Sequence, residues 1–565
     1  MAKQAKDKKH KSIEEALWDS ANKLRGSVEP SEYKHVVLGL IFLKFASDKF
    51  EERKAELIAE GKVKYLDMVE FYTSKNVFYL PQVSRWSYLI DNAKQDDIAI
   101  KIDTALFTVE KNNPALKGAL PDNYYSRMNL DVSKLASLLD TINNIDTLRD
   151  KQQDIVGRVY EYFLSKFALA EGKGKGEFYT PKSIVNLIAE MLEPYKGKIY
   201  DPACGSGGML TEAEHFALEI NPKATFHLYG QEVNPETFAI CKADMLIKEE
   251  DPDKIAFGST LSNDGFSNLQ FDFMLSNPPY GKTWKIDQPA IVDKKEIIDH
   301  RFKIGVPRVN DGQLLFLMNM VSKMKKDSEL GSRFATIHNG SALFTGDAGQ
   351  GESEIRKYLF ENDLLEAIIA LPNDLFYNTG IPTYIFILTN KKDKKRKGKL
   401  QLINVTADHF NSKMRKPLGK KRVQFDANHI NTITKLFLDY VPNEYSIILD
   451  NTDFGYHQIT VHQPEKDKQG NIVLDSKGKP KSDAKLRDIE NIPLKDSIDD
   501  FFETEVLPFV PNAWYNAKET KVGYEVNFAK YFYQYQAPRK LTEITKDILA
   551  IEEETENLLK EIIEA

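Results

Sequence analysis

Residues 198–210, KIYDPACGSGGML, decide the fold class of this chain, because they join an apolar strand to a helix through a glycine-rich turn. The glycines at 205, 207 and 208 allow the backbone to turn tightly and to approach a ligand, while the helix start offers unpaired N–H groups. Further strands and helices alternate around this stretch, from residue 183 to about residue 390. This alternation predicts an α/β domain built on a parallel, doubly wound sheet.

A second stretch, FDFMLSNPPY at residues 271–280, reads as a buried strand that ends in a stiff turn. Proline cannot donate to a sheet and fixes φ at about −65°, so the turn would hold Asn277 and Tyr280 at the carboxyl end of the strand. Ligands of open α/β sheets bind at that edge. An isolated Pro-Pro pair is more often only a turn after a core strand, so the rest of the chain has to decide between the two interpretations.

The glycine-rich turn and the strand that follows it suggest a nucleoside ligand. The turn matches neither the phosphate-binding pattern that ends in Gly-Lys-Ser/Thr nor Gly-x-Gly-x-x-Gly, which weakens the case for ATP or a dinucleotide. The next strand ends at Glu232, whose carboxylate can accept hydrogen bonds from both hydroxyls of a ribose. S-Adenosylmethionine fits these features because it has a ribose and an adenine but no phosphate.

Composition predicts a soluble chain of several domains. Its 565 residues are 42% hydrophobic and 28% charged, and no apolar run approaches the roughly 20 residues that span a bilayer. The N-terminus lacks the apolar core of a secretory signal. The two cysteines, Cys204 and Cys241, show no metal-ligand spacing, so we expect no metal site, no disulfide and a cytoplasmic location.

Changes in texture divide the chain into three predicted parts. Residues 1–165 carry apolar residues at helical spacing and predict a helical N-terminal domain. Residues 166–435 hold the alternating strands and helices and predict the domain with the cofactor site. Residues 436–565 predict a C-terminal region with an exposed hairpin or mobile insertion at 462–485 and a terminal helix.

The terminal helix has apolar side chains at alternating spacings of three and four, the pattern of a coiled-coil seam. Its seam positions are Leu541, Ile544, Ile548, Ile551, Thr555, Leu558 and Ile562. This pattern fits a helix that binds another subunit and equally a terminal helix that packs on its own domain.

Two basic runs interrupt an otherwise acidic chain of net charge −7. They are KKDKKRKGK at 391–399 and KMRKPLGKKR at 413–422. Such runs can contact phosphates, but a lone charged run is more often a solvated loop. The sequence leaves the role of both runs open.

The combination of DPACGSGG with NPPY resembles the amino-methyltransferases of DNA, and specifically the modification (M) subunit of type I restriction-modification systems. Longer segments carry the same resemblance: LWDSANKLRGSVEPSEYKHVVLGLIFLKFASDKFEE, GEFYTP, NDGQLLFLMNM, HNGSALFTG, FYNTGIPTYIFILTNKK and GYEVNFAKYFY. The resemblance implies a Rossmann-like S-adenosylmethionine-dependent methyltransferase domain, a helical N-terminal domain and a C-terminal helical tail. It also implies partners: double-stranded DNA, a specificity (S) subunit bound by two M subunits, and a restriction (R) subunit.

By this resemblance the segment before the glycine-rich turn should close over the methionine end of the cofactor, the turn should line it, and Glu232 should hold its ribose. The implied cofactor-binding residues are Glu177, Phe178, Tyr179, Thr180, Pro181, Lys182, Asp201, Gly205, Ser206, Gly207, Gly208 and Glu232. Many relatives have an acidic residue at the position of Ser259 to bind the cofactor's adenine, so that contact stays in question.

The implied catalytic residues are Asn277, Pro278, Pro279 and Tyr280. An exocyclic amine of a base is a poor nucleophile, and two acceptors, the Asn277 side-chain oxygen and the Pro278 carbonyl, would direct its lone pair toward the methyl group. Tyr280 would stack on a base flipped out of the duplex. Neither cysteine resembles the nucleophile of cytosine C5 methylation.

The target of methylation has three alternatives at this point. Adenine N6 and cytosine N4 pose the same chemical problem, and adenine is favoured because relatives that act on cytosine usually have serine at the position of Asn277. Methyltransferases of a glutamine amide in proteins also use Asn-Pro-Pro-Tyr, but they lack the N-terminal and C-terminal regions. A catalytically silent scaffold would lack site residues that this chain retains.

Overall fold

A computed structural model describes residues 13–24, 33–75, 77–117, 120, 123–145, 180–248, 250–326, 328–377, 379–418, 420–533 and 540–551. These residues fall into two compact units, Met1–Val526 and Asn527–Ala565. In the described part of the chain, no helix is both long enough and apolar enough to cross a membrane.

The first part of the larger unit is helical, as its apolar spacing predicts. Its helices are α1 (Ile13–Asn22), α2 (Tyr33–Ala59), α3 (Glu70–Thr73), α4 (Trp86–Asp91), α5 (Ile98–Asn112), α6 (Tyr124–Arg127) and α7 (Val132–Asn143). They share one apolar core, in which the Tyr125 hydroxyl donates to the Val36 carbonyl at 2.7 Å. A Cβ on Gly39 would lie 2.6 Å from that hydroxyl, so glycine is required where α2 and α6 meet. Ile240 of the next domain belongs to the same core.

The strands of the chain follow the predicted alternation and then continue beyond it. They are β1 (Gly197–Asp201), β2 (Phe226–Glu232), β3 (Ile255–Phe257), β4 (Phe273–Ser276), β5 (Val292–Asp293), β6 (Glu296–Ile297), β7 (Arg333–Asn339), β8 (Leu365–Ala370), β9 (Thr383–Thr389), β10 (Lys399–Asn404), β11 (Ser412–Leu418), β12 (Lys421–Gln424), β13 (Ser446–Asp450), β14 (Gly455–His462), β15 (Asp488–Pro493), β16 (Trp514–Tyr515) and β17 (Lys521–Tyr524).

Nine of these strands form the central sheet, in the order β13-β10-β8-β9-β7-β4-β1-β2-β3. The prediction of a wholly parallel sheet is wrong, because β9 runs antiparallel to both β7 and β8 and β13 runs antiparallel to β10. Only residues 371–382 separate β8 from β9, and they contain no helix. A parallel neighbour needs a crossover, usually a helix, so this short link returns the chain in the opposite direction.

The parallel strands nevertheless end at one edge of the sheet, which we call the carboxyl edge. It is defined by the last residues of β1, β2, β4, β7 and β8, which are Asp201, Glu232, Ser276, Asn339 and Ala370. The opposite edge, where these strands begin, is called the amino edge. Because β9 is reversed, its last residue lies opposite Arg333 at the amino edge.

Helices cover both faces of the sheet. They are α8 (Lys182–Leu192), α9 (Gly208–Ile220), α10 (Pro235–Ile247), α11 (Gln288–Ile291), α12 (Gln313–Ser322), α13 (Ser341–Phe344), α14 (Gly351–Glu361) and α15 (Ala427–Asp439). The fully buried side chains of Ile199, Ile337 and Ile369 in the strands pack in one core with Ile184 and Ile188 of α8. This second core is separate from that of the N-terminal helices.

A smaller sheet follows, in which β14 pairs with β15, β16 and β17. Residues between β14 and β15 form exposed turns closed by bridges such as Lys466 to Ile472 and Leu474 to Pro480, which confirms the hairpin form of the predicted insertion.

The second unit contains α16 (Phe528–Phe532) and a helix over residues 541–551, α17. The described seam positions are exposed: Leu541 by 82%, Ile544 by 39%, Ile548 by 58% and Ile551 by 63%. The predicted positions Thr555, Leu558 and Ile562 lie outside the described residues, as does the helical pattern predicted up to residue 165.

The basic run 391–399 joins β9 to β10 at the amino edge, and part of it is structural. Arg396 is 4% exposed and donates to the Gln401 side-chain oxygen at 2.9 Å, with the buried Glu366 carboxylate 3.4 Å away. Lys392 donates to Asp363 at 2.6 Å. Two cations of this run therefore stabilise the sheet.

Replacing Arg396 with glutamine should leave the buried Glu366 with Arg333 as its cationic partner. Removing one partner of a buried ion pair leaves charge poorly compensated, so we expect a loss of about 3 kcal/mol in the free energy of unfolding, measured by urea denaturation. The matched control is Lys394→Gln, an exposed position in the same run, for which we expect a change within about 0.5 kcal/mol. Equal losses in the two variants would contradict the structural role of Arg396.

Candidate functional site

The ends of β1 and β4 are joined by a buried hydrogen bond. Ser276 donates its hydroxyl to Oδ1 of Asp201 at 2.8 Å, and the Ala203 backbone N–H donates to the same oxygen at 2.9 Å. Asp201 is 1% exposed, and this burial raises the pKa of its carboxyl to about 7. The glycine-rich turn and the Asn-Pro-Pro-Tyr turn therefore begin at adjacent, connected points of the carboxyl edge.

Glu232 holds the glycine-rich turn in place. Its carboxylate accepts from the Gly205 N–H at 3.0 Å and from the Asn234 N–H at 2.7 Å. Gly205 and Gly207 both adopt left-handed φ values, 55° and 83°. A Cβ on Gly207 would lie 2.5 Å from the Met245 methyl group, so this glycine allows the turn to pack against α10.

Asn277 is 5% exposed and has a fixed orientation. Its amide nitrogen donates to the Thr180 hydroxyl at 3.1 Å. Its amide oxygen is buried and meets no hydrogen-bond donor among the residues that the structure describes. Thr180 thus directs the acceptor end of this side chain away from itself.

The far end of the Asn-Pro-Pro-Tyr turn is held by Asp311. Its Oδ1 accepts from the Gly281 N–H at 3.0 Å, and its Oδ2 accepts from the side chains of Gln313 and Ser341 at 2.8 and 2.9 Å. The sequence analysis quoted NDGQ at 310–313 only as part of a resemblance. A polar cluster directly before an apolar helix was the available signal for this role.

Tyr280 does not present an open ring face. It is 5% exposed, and burial raises the pKa of its phenol well above the ordinary value. A base that stacks on Tyr280 would have to displace neighbouring side chains. Its stacking role stays a prediction.

Arg301, which the sequence analysis also missed, fixes the segment that contains Ser259. Its guanidinium donates to the carbonyls of Thr260 and Leu261, both at 2.8 Å, and to Asp299 at 2.7 Å. Thr260 in turn donates its hydroxyl to the Pro202 carbonyl at 2.5 Å. Nothing in the local sequence pattern marks Arg301, because its partners lie about 40 residues away.

These elements enclose a cavity of about 320 Å³. Of the predicted site residues, those that line it are Thr180, Asp201, Gly205, Ser206, Gly208, Glu232, Asn277 and Pro279. Four lining residues carried no prediction as cofactor contacts or were left in question: Gln231, Ser259, Lys282 and Phe316.

The remaining predicted residues lie around the cavity or outside the described chain. Pro181 precedes α8, and Lys182 forms an ion pair with Glu212 at 2.7 Å. Gly207, Pro278 and Tyr280 are buried beside the cavity wall. Glu177, Phe178 and Tyr179 lie outside the described residues.

Both cysteines are buried, with their sulfur atoms 3.9 Å apart. Across the described ranges, no group of three or more His, Cys, Asp or Glu side chains is placed to hold a metal ion.

Comparison with known families identifies the class of this site. The family model described as N-6 DNA Methylase matches residues 151–456, and the one described as HsdM N-terminal domain matches residues 13–142. This chain belongs to the N-6 DNA methylase family. The family match covers every element of the cavity, and the second match covers the helices α1 to α7.

Individual relatives of this N-6 DNA methylase are methylase subunits of type I restriction enzymes. The MjaIX subunit of Methanocaldococcus jannaschii is 32% identical, over 75% of this chain and 76% of the relative. The HindI subunit of Haemophilus influenzae is 35% identical, over 58% and 75% respectively. The resemblance to type I modification subunits is therefore confirmed, and methylation of DNA is favoured over that of a protein amide.

The fold has a solved counterpart in the type I restriction-modification methyltransferase subunit of Streptococcus thermophilus. The two structures align with a TM-score of 0.62 at 22% identity, covering 78% of this chain and 95% of the other. A Rossmann-like methyltransferase domain accompanied by a helical N-terminal region is thereby confirmed.

Proposed function

We propose that this chain transfers a methyl group from S-adenosylmethionine to N6 of an adenine in double-stranded DNA. The observation that carries the proposal is the amide oxygen of Asn277, a buried acceptor without a donor at the wall of the cavity. Leaving such an atom unpaired costs about 1–3 kcal/mol, so its place is best explained by a donor that the substrate brings.

The cavity suits the proposed cofactor. Its volume of about 320 Å³ lies at the lower end of the range for small-molecule sites. A carboxylate has about four acceptor positions, so Glu232 can hold the glycine-rich turn and also accept from ribose hydroxyls. When bound, S-adenosylmethionine supplies an electrophilic methyl group on its sulfonium. Residues 177–182 remain our proposed cover for its methionine end.

The protein's part in the reaction is to position the amine. Asn277 Oδ1 and the Pro278 carbonyl would accept the two N–H groups of adenine N6, which favours a pyramidal nitrogen whose lone pair points toward the cavity. Thr180 and Asp311 hold this turn from its two sides, so little reorganisation is needed when the base arrives. The burial of the turn excludes water from the reaction. This mechanism needs no covalent intermediate and no metal.

Cytosine N4 offers the same pair of N–H groups, so the geometry alone does not choose between the bases. The description of the matched family, N-6 DNA Methylase, supports adenine. Asn277, rather than serine, at the end of β4 supports the same choice by resemblance.

Replacement of Asn277 with alanine should abolish methylation while the affinity for S-adenosylmethionine stays unchanged, because the side chain contacts the base and not the cofactor's binding groups. Thr180→Val should lower the turnover number about tenfold by freeing the amide to rotate, and Thr180→Ser should restore it. Transfer of radioactive methyl groups to duplex DNA and calorimetric titration with the cofactor measure the two effects.

The control for these variants is Asn221→Ala, which removes an exposed asparagine at the end of α9. Tyr280→Phe should keep most activity, since stacking needs only the ring. Full transfer by Asn277→Ala would contradict the proposed mechanism.

Cofactor affinity should increase as the pH rises through 7. Asp201 has a pKa of about 7, so it is largely neutral at pH 6 and becomes ionised above pH 7. The positive sulfonium favours the ionised form, and the affinity should rise about fivefold between pH 6 and pH 7 if binding lowers that pKa well below 6. Asp201→Asn should remove this dependence in calorimetric titrations, whereas Asp253→Asn, an exposed control, should keep it.

The proposal includes partners. The described part of the chain shows no helix-turn-helix signature in its sequence, and the relatives above are subunits of type I restriction enzymes. We propose that a specificity subunit reads the DNA sequence, that two copies of this chain bind it, and that a restriction subunit joins the complex in the cytoplasm. The exposed seam of α17, which begins at Leu541, supports a subunit-binding role for the terminal helix.

Deletion of residues 541–565 should abolish assembly with the specificity subunit and leave cofactor binding intact, because the apolar seam would be lost while the cavity lies elsewhere in sequence. Serine at Leu541, Ile544 and Ile548 should weaken assembly in the same way. Serine at the exposed polar positions Glu543, Lys546 and Asp547 is the matched control. An unchanged complex on size-exclusion chromatography after the deletion would refute this role.

A further inference from the structure

The second basic run, 413–422, forms a hairpin at the carboxyl edge. It spans β11 and β12, which pair in antiparallel fashion. The Lys420 N–H donates to the Tyr377 carbonyl at 2.7 Å, and the Arg422 N–H donates to the Asp374 carbonyl at 2.8 Å. Both acceptors lie in the loop that follows β8, and β8 ends at the same edge as β4. The hairpin is therefore anchored on the side of the sheet that carries Asn277.

The anchoring uses one cation of the run and leaves others free. Lys421 is 4% exposed, with its ammonium nitrogen 5.1 Å from the centre of the Tyr377 ring. Lys413, Arg415, Lys420 and Arg422 are exposed, and none of these four side chains forms an ion pair within the described part of the chain. No acidic residue occurs from 409 to 425.

The first basic run, 391–399, has the opposite character. It lies at the amino edge, and its Lys392 and Arg396 form ion pairs with Asp363 and Glu366. The direction of the strands thus separates two runs that are alike in composition. Only the hairpin has unpaired cations on the side of the proposed active site.

We propose that the β11–β12 hairpin, residues 412–424, binds the phosphate backbone of the DNA duplex whose flipped base enters at Asn277. This inference rests on the proposed function, because it takes duplex DNA as the substrate. Strand β8 is three positions from β4 in the sheet, a separation of about 14 Å. Since phosphates follow one another at about 3.4 Å along each strand of DNA, the hairpin contacts the backbone within a few nucleotides of the target.

The chemistry of the hairpin fits phosphates better than bases. Each unpaired lysine or arginine can neutralise one phosphate and release its counterion. Contacts of this kind position a protein on DNA without reading its sequence. The hairpin therefore adds affinity that is independent of sequence, while recognition stays with the proposed specificity subunit.

The test compares two variants that each replace four exposed cations with glutamine. The first changes Lys413, Arg415, Lys420 and Arg422. The charge-matched control changes Lys391, Lys394, Lys397 and Lys399, which are exposed at the amino edge. Binding of a fluorescent DNA duplex by the full-length chain, alone and assembled with the specificity subunit, is measured by anisotropy between 50 and 200 mM salt.

The hairpin variant should show a less steep plot of log affinity against log salt, by about 0.9 for each phosphate contact and about 3.6 for all four. The control variant should keep the slope of the wild type, and both variants should keep the preferred sequence and the affinity for S-adenosylmethionine. A single substitution, Arg422→Gln, should lower the slope by about 0.9 and guards against misfolding of the multiple variant.

Three outcomes would overturn the inference. One is an unchanged slope in the hairpin variant, a second is an equal fall in the control, and a third is loss of assembly with the specificity subunit, which would make the hairpin a protein-binding surface. Failure of the proposed function is distinguishable, because the wild-type chain would then neither bind S-adenosylmethionine nor methylate DNA in the assembled complex.

Discussion

The hydrogen bond from the Ser276 hydroxyl to the Asp201 carboxyl connects the two halves of the site. Asp201 begins the glycine-rich turn, and Ser276 is the residue before Asn277, so one contact of 2.8 Å sets the cofactor side against the catalytic side. Burial disfavours the charged form of Asp201, and the donors from Ser276 and Ala203 partly offset that penalty. The pairing of β1 with β4 makes this contact possible, because it places both strand ends side by side.

The catalytic turn is held at both ends, and its one unpaired atom is the acceptor that the reaction requires. Thr180 binds the amide nitrogen of Asn277, and Asp311 binds the N–H of Gly281. The two prolines between these contacts limit the remaining backbone freedom. An unpaired acceptor at this position lowers stability in the free protein and becomes useful when a base supplies the missing donor.

Charge is distributed by the direction of the strands. The chain carries a net charge of −7, yet its two basic runs differ in what they do. The run at the amino edge holds together the ends of β8 and β10 through buried ion pairs, whereas the hairpin at the carboxyl edge keeps its exposed cations unpaired in the described structure. An acidic protein can thus present a local basic surface next to its site.

The sequence by itself determined the features that depend on a few neighbouring residues: the glycine-rich turn, the strand end at Glu232, the Asn-Pro-Pro-Tyr turn and the alternation of strands with helices. Glycine and proline restrict the backbone locally, so their pattern survives any tertiary arrangement. The tertiary structure alone decided the reversal of β9, the burial of Tyr280, the contacts of Asp311 and Arg301, and the edge on which each basic run lies. Those properties depend on which distant segments meet across the sheet, and single-residue preferences carry no information about such pairings.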